Sequence, residues 1–106
     1  MKTLFKIHQI KDIQSVKYAF RDYDFAANYG LSFADYAEVE HGELESKDFE
    51  GATYEETVIN MLEYLFEKYN IGLEDYPRGM HSLSVSDIVQ LNDTCYYCDF
   101  SGWKKM

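Results

Sequence analysis

The dipeptide Asn92-Asp93 narrows the folds open to this chain more than any other feature. Both residues tolerate the positive φ that a two-residue hairpin loop demands. They separate two apolar-patterned runs, Ile88-Val89-Gln90-Leu91 and Thr94 to Phe100. Such a loop fixes the pairing: Leu91 opposite Thr94, Val89 opposite Tyr96, Asp87 opposite Cys98 and Val85 opposite Phe100. One face of the hairpin is then apolar apart from Asp87 and Thr94. The other sets Ser86, Ile88 and Gln90 against Asp99, Tyr97 and Cys95, a half-polar, half-aromatic surface suited to light cover or to contact.

The rest of the chain reads as scaffold. Leu4 to Ile10 is an opening strand with Phe5 and Ile7 on one face; His8 falls on the other with Lys6 and Ile10 and reads as a surface or edge residue. Val16 to Asn28 carries apolar residues at helical spacing and stops at Tyr29-Gly30, and Ser32 is placed to cap a further turn over Phe33-Ala34-Asp35. Tyr36 to Leu44 alternates, with Tyr36, Glu38 and Glu40 on one side and Ala37, Val39 and His41 on the other. Its charge suits an edge strand, because acids discourage pairing with a second chain.

Thr53-Tyr54-Glu55-Glu56 has the spacing of a capping box, with Thr53 accepting from the Glu56 amide and Glu56 reaching back to the Thr53 amide. The helix it opens should bury Val58, Leu62, Leu65, Phe66 and Tyr69 and expose Glu56, Asn60, Glu63 and Glu67. Ile71 to Met80 is a connection in which Arg78 can bridge to Glu74 or Asp75. The tail carries the sole tryptophan, Trp103, before Lys104-Lys105. These elements give one α+β domain over residues 1–106: a small, mainly antiparallel sheet in the order β-α-β-α-β-β with helices packed on one face.

Charge is unevenly spread. Between Asp35 and Asp75 stand 13 acids against Lys47 and Lys68, a local balance of −11, while the remaining residues carry 6 acids and 8 bases. The whole net charge of −9 therefore lies mid-chain. Such a face either solubilises or imitates phosphates toward a basic groove; direct nucleic-acid binding by it is disfavoured on the same physics. Ten tyrosines add rings with polar tips, suited to wet core edges or adhesive surfaces. No apolar run approaches the ~20 residues of a membrane span, and Met1-Lys2-Thr3 opens no apolar leader, so a soluble, cytosolic protein is expected.

Catalytic and metal chemistries find little support. Cys95-Tyr96-Tyr97-Cys98 has a spacing used by zinc sites, but within a strand residues i and i+3 point to opposite faces. The expectation is two reduced thiols and no cofactor; any metal would have to use Cys95 and Cys98. A hydrolase would draw on Ser82, Ser84 or Ser86 with His81 and Asp87, all crowded into one short stretch, whereas a triad converges from separate elements. No catalytic residues are assigned, and Asp87 reads as a structural carboxylate needing nearby donors.

Leu83-Ser84-Val85-Ser86-Asp87-Ile88-Val89 and Tyr96-Tyr97-Cys98-Asp99-Phe100-Ser101-Gly102 resemble the YodL-like domain family of phages, plasmids and conjugative elements in Gram-positive bacteria. The opening Phe5-Lys6-Ile7-His8-Gln9-Ile10-Lys11-Asp12 is similar too, as are Tyr69-Asn70-Ile71, Arg78-Gly79 and His81-Ser82. The resemblance implies no enzyme activity; it implies the accessory genes of mobile elements. Joined to the local charge, it leads to the expectation of a non-catalytic anti-defence protein, an anti-CRISPR inhibitor binding a type II Cas nuclease where guide RNA or target DNA would lie. Its contacts would be Glu38, Glu40, Glu43, Glu56, Glu63 and Glu67, with Tyr36, Tyr64 and Tyr97 as aromatic anchors, and it would act as a monomer or weak dimer. The alternatives are a generic interaction module of a conjugative or phage operon, and a small zinc-binding or nucleic-acid-processing protein.

Overall fold

A computed structural model describes residues 1–70 and 80–106. The proposed bridge from Arg78 to Glu74 or Asp75, and most of the connection that holds it, lie outside the described residues.

Among the described residues five strands form one antiparallel sheet in the order β2-β1-β3-β4-β5. They are β1 (Lys2–Ile10), β2 (Tyr36–Glu45), β3 (Ile88–Leu91), β4 (Thr94–Asp99) and β5 (Gly102–Lys105). The hairpin β3–β4 turns at Asn92, φ 52°, with Leu91 opposite Thr94 and Val89 opposite Tyr96, as the loop length requires. The expected pairing of Val85 with Phe100 does not form. The chain turns instead at Phe100 and Ser101, with Gly102 at φ 110°, and adds β5. This last strand escapes a reading by pattern because it is only four residues long and half lysine.

As expected, β2 is an edge strand. Its register against β1 shifts between Ile7, paired with Glu40, and His8, paired with Glu38, so Val39 is the extra residue of a β-bulge. Because side chains alternate, the bulge puts Glu38 and Glu40 on opposite faces instead of one. Gly42 lies opposite Phe5, and a Cβ there would stand 2.7 Å from the Phe5 ring, so the position has room only for hydrogen.

Helix α2 (Tyr54–Asn70) covers one face of the sheet. Val58, Met61, Leu62, Leu65 and Tyr69 pack on Phe5, Ile7, Val89, Leu91 and Tyr96. Its N-terminus is capped by Thr53 Oγ1, which accepts from Glu56 N at 3.2 Å, while the Glu56 carboxylate accepts from Ala52 N and not from Thr53.

The opposite face is closed differently. Helix α1 occupies only Tyr23–Asn28, not the whole stretch from Val16. Phe20 at φ 62° interrupts any longer helix, and the cap is Asp22, whose Oδ1 accepts from Phe25 N at 2.8 Å. Residues 11–22 run irregularly over the sheet, and Tyr18, Ala26 and Tyr36 join Ile10, Ile88 and Tyr97 in a second core. The α+β class stands, but the helices do not share one face as expected: α2 packs on one and the smaller α1 on the other.

Candidate functional site

The serine-rich approach to β3 folds as a turn followed by a bulge. Asp87 N donates to Ser84 O at 3.0 Å, and Ser86 lies at φ 82°, the third-position geometry of a type II turn that usually selects glycine. Ser86 N then donates to Cys98 O at 3.0 Å and Cys98 N to Asp87 O at 2.8 Å, so two residues face one. Ser86 is held in this conformation on three sides: beside the Cys98 bond, its Oγ accepts from Phe20 N at 3.0 Å and its carbonyl accepts from Tyr36 Oη at 2.6 Å.

Asp87 is buried beside it. Its Oδ2 accepts from Ser84 N at 2.8 Å and Gln9 Nε2 at 2.9 Å. Burial raises its pKa to about 7, only partly offset by these donors and by His81 nearby. Gln9 also clasps the His81 backbone, donating to its carbonyl at 3.0 Å and accepting from its amide at 3.1 Å. His81 Nδ1 lies 2.8 Å from Ser82 O, a carbonyl that can only accept. The histidine lines an open cleft of about 530 Å³ with Gln9, Lys11, Asp12, Gln14 and Val39.

The groups a hydrolase would recruit are thus engaged with backbone. Ser82 Oγ donates to Asn70 O, Ser84 Oγ donates to Ser82 O, and Ser86 Oγ holds Phe20 N. The side-chain donor to the Asp87 carboxylate is Gln9, a residue the sequence reading overlooked. Cys95 and Cys98 lie on opposite faces, opposite Gln90 and beside Asp87, and burial pushes the Cys98 thiol up to about 12. Among the described residues, no three His, Cys, Asp or Glu side chains are grouped to hold a metal ion.

With the Ser84–Asp87 turn, the β3–β4 hairpin and the opening strand all contributing to this buried node, the YodL-like domain family matches residues 4–106. The chain belongs to the YodL-like domain family. No curated protein and no solved structure matches it. In this YodL-like domain the Ser-Val-Ser-Asp run is a fold node that ties β3 to β4, to Gln9 of β1 and to the irregular layer.

The acids expected to act together are divided among surfaces. Glu38, 3.1 Å from His41 Nδ1 and 3.7 Å from Lys6, lies with Glu43 on the face of β2 away from α2. Glu40 is on the α2 side, where it accepts from Tyr69 Oη at 3.2 Å. Glu56, Glu63 and Glu67 are exposed on the back of α2. Of the aromatic anchors only Tyr64 reaches solvent. Tyr97 is fully buried and donates to Arg21 O at 2.7 Å, and Tyr36 is buried over Ser86. Apolar rings with one polar tip are well suited to sealing a core edge, and those two serve there instead. His8, expected at the surface, is buried beneath Phe33 with Nε2 3.0 Å from Gln90 Oε1, and that burial lowers its pKa. Among the described residues no helix is long and apolar enough to cross a membrane.

Proposed function

We propose that the protein is a non-catalytic binding module that docks the back of α2 onto a basic groove built for nucleic acid in another protein. The observation that carries this reading is the solvent face of α2. Glu56, Glu63 and Glu67 follow one another at helical spacing, with Glu63 and Glu67 about 6 Å apart along the axis. No lysine or arginine interrupts that stripe, and Tyr64 beside it is 41% exposed, a ring available to an interface. Carboxylates so spaced can replace phosphates in neutralising a row of lysines and arginines.

The partner to test first is a type II RNA-guided nuclease, blocked where guide RNA or target DNA binds. The protein is added to a cleavage assay before or after guide loading, alongside Glu63→Lys/Glu67→Lys. Glu56 is left unchanged because it caps the helix. Inhibition by the wild type, lost in the variant with circular dichroism unchanged, supports the reading. Inhibition that survives reversal removes the acidic face from the mechanism. Absence of inhibition removes the nuclease as partner and favours a generic interaction module.

A further inference from the structure

Among the described residues the sheet has two free edges, and they are finished in opposite ways. At one end β2 is long, acidic and bulged, devices that discourage a further strand. At the other, β5 carries no acid, and its only charges are Lys104 and Lys105. Alongside β5 runs a groove of about 220 Å³ between α2 and β4, walled by Tyr54, Ile59, Tyr96 and Trp103, with Glu55 and Lys105. Tyr54 is 74% and Ile59 43% exposed, and Trp103, edge-on to Phe66, is half-buried.

We propose that β5 and this groove bind an extended acidic segment of a partner protein, added to the sheet as a further antiparallel strand. Strand pairing would supply backbone hydrogen bonds along the edge, and the groove would supply side-chain selection. Pairing with β4 sets Trp103 against Cys98 and Lys105 against Tyr96, which places both on the α2 face with the groove, whereas Lys104 faces the other way. A segment antiparallel to β5 therefore reads acid, acid, apolar: acids opposite Lys105 and Lys104, then an apolar side chain opposite Trp103 and directed to the groove. Charge selects this occupant. A second copy pairing through its own β5 would bring four lysines together, whereas two acids neutralise both.

Trp103 is the sole tryptophan and reports directly on the groove. The full chain is titrated, with fluorescence detection, with the peptide acetyl-Thr-Glu-Glu-Leu-Thr-Val-amide, with its counterpart bearing lysines for glutamates, and with an N-methylated version that cannot pair as a strand. The proposal expects a saturable blue shift with the acidic peptide, about tenfold tighter than with the lysine peptide and lost on N-methylation. Lys104→Glu/Lys105→Glu should weaken it about tenfold, as should Ile59→Glu at an exposed helix position. Equal response to the lysine peptide, response that survives N-methylation, or no response overturns it. So does a dimer of the wild type without peptide that is lost in Ile59→Glu, since the occupant is then a second copy.

Discussion

On one face of the sheet, α2 presents five buried side chains at helical spacing. On the other, residues 11–22 have no regular structure and are pinned by individual bonds from Phe20 N to Ser86, Tyr97 Oη to Arg21 O and Tyr18 Oη to Asp35. The first layer draws its stability from apolar area, which is spread over many contacts and tolerant in geometry. The second combines the buried rings of Tyr18, Tyr36 and Tyr97 with a few directional hydrogen bonds, each costly to leave unmade. Loss of one such bond should loosen the irregular layer first, while α2 and its sheet persist.

The largest effect is expected in the helical layer. Leu62 is completely buried, and Leu62→Ala should cost about 2–5 kcal/mol in urea unfolding. A much smaller loss would mean that the α2 face is not the main store of apolar stabilisation. In the irregular layer, Ser86→Ala strands the Phe20 amide and keeps a Cβ at positive φ, for a cost of about 1–3 kcal/mol. Ser86→Gly should lose less, because the left-handed conformation is then unstrained. If Gly and Ala are equal, backbone strain plays no part at this turn.

Asp87 links the layers and makes their stability depend on pH. Its folded pKa of about 7 lies above the ordinary carboxylate range, so the fold prefers the protonated acid. Its stabilising contribution is complete below about pH 4 and is lost as pH rises through about 7. The urea midpoint should therefore fall between about pH 5 and pH 8, and the fall should be smaller in Asp87→Asn, which keeps an acceptor for Ser84 N and Gln9. An unchanged slope would assign the dependence to the net acidic charge alone. Thr53→Ala, which removes only the α2 cap, should cost about 0.5–2 kcal/mol, the smallest of the set.

The regular layer was legible in the sequence and the irregular one was not. The hairpin loop at Asn92-Asp93, the capping residue Thr53, the Val58 to Tyr69 stripe and the acidic edge strand all follow from local chemistry that repeats along the chain. Phe20 at positive φ and the partnership of Gln9 with Asp87 depend on residues more than sixty positions away, and no local pattern encodes them. The bulge at Val39 is equally hidden from local pattern: one extra residue sends Glu40 to Tyr69 and leaves Glu38 on the other face, so an acidic run in sequence is not one surface. The helix start at Asp22 was missed because the apolar spacing runs on upstream to Val16. Glu56, Glu63 and Glu67 do share one side of α2, because a helix keeps its spacing and a bulged strand does not.

Native-state hydrogen exchange at increasing urea tests the separation of the two layers most directly. The amides of Phe20 and Leu31, bonded to Ser86 Oγ and Ala26 O, should exchange through an opening with lower free energy and weaker urea dependence than those of Leu62 and Leu65 in α2. If all four merge onto one curve at every urea concentration, the layers unfold as a single unit and the account is contradicted.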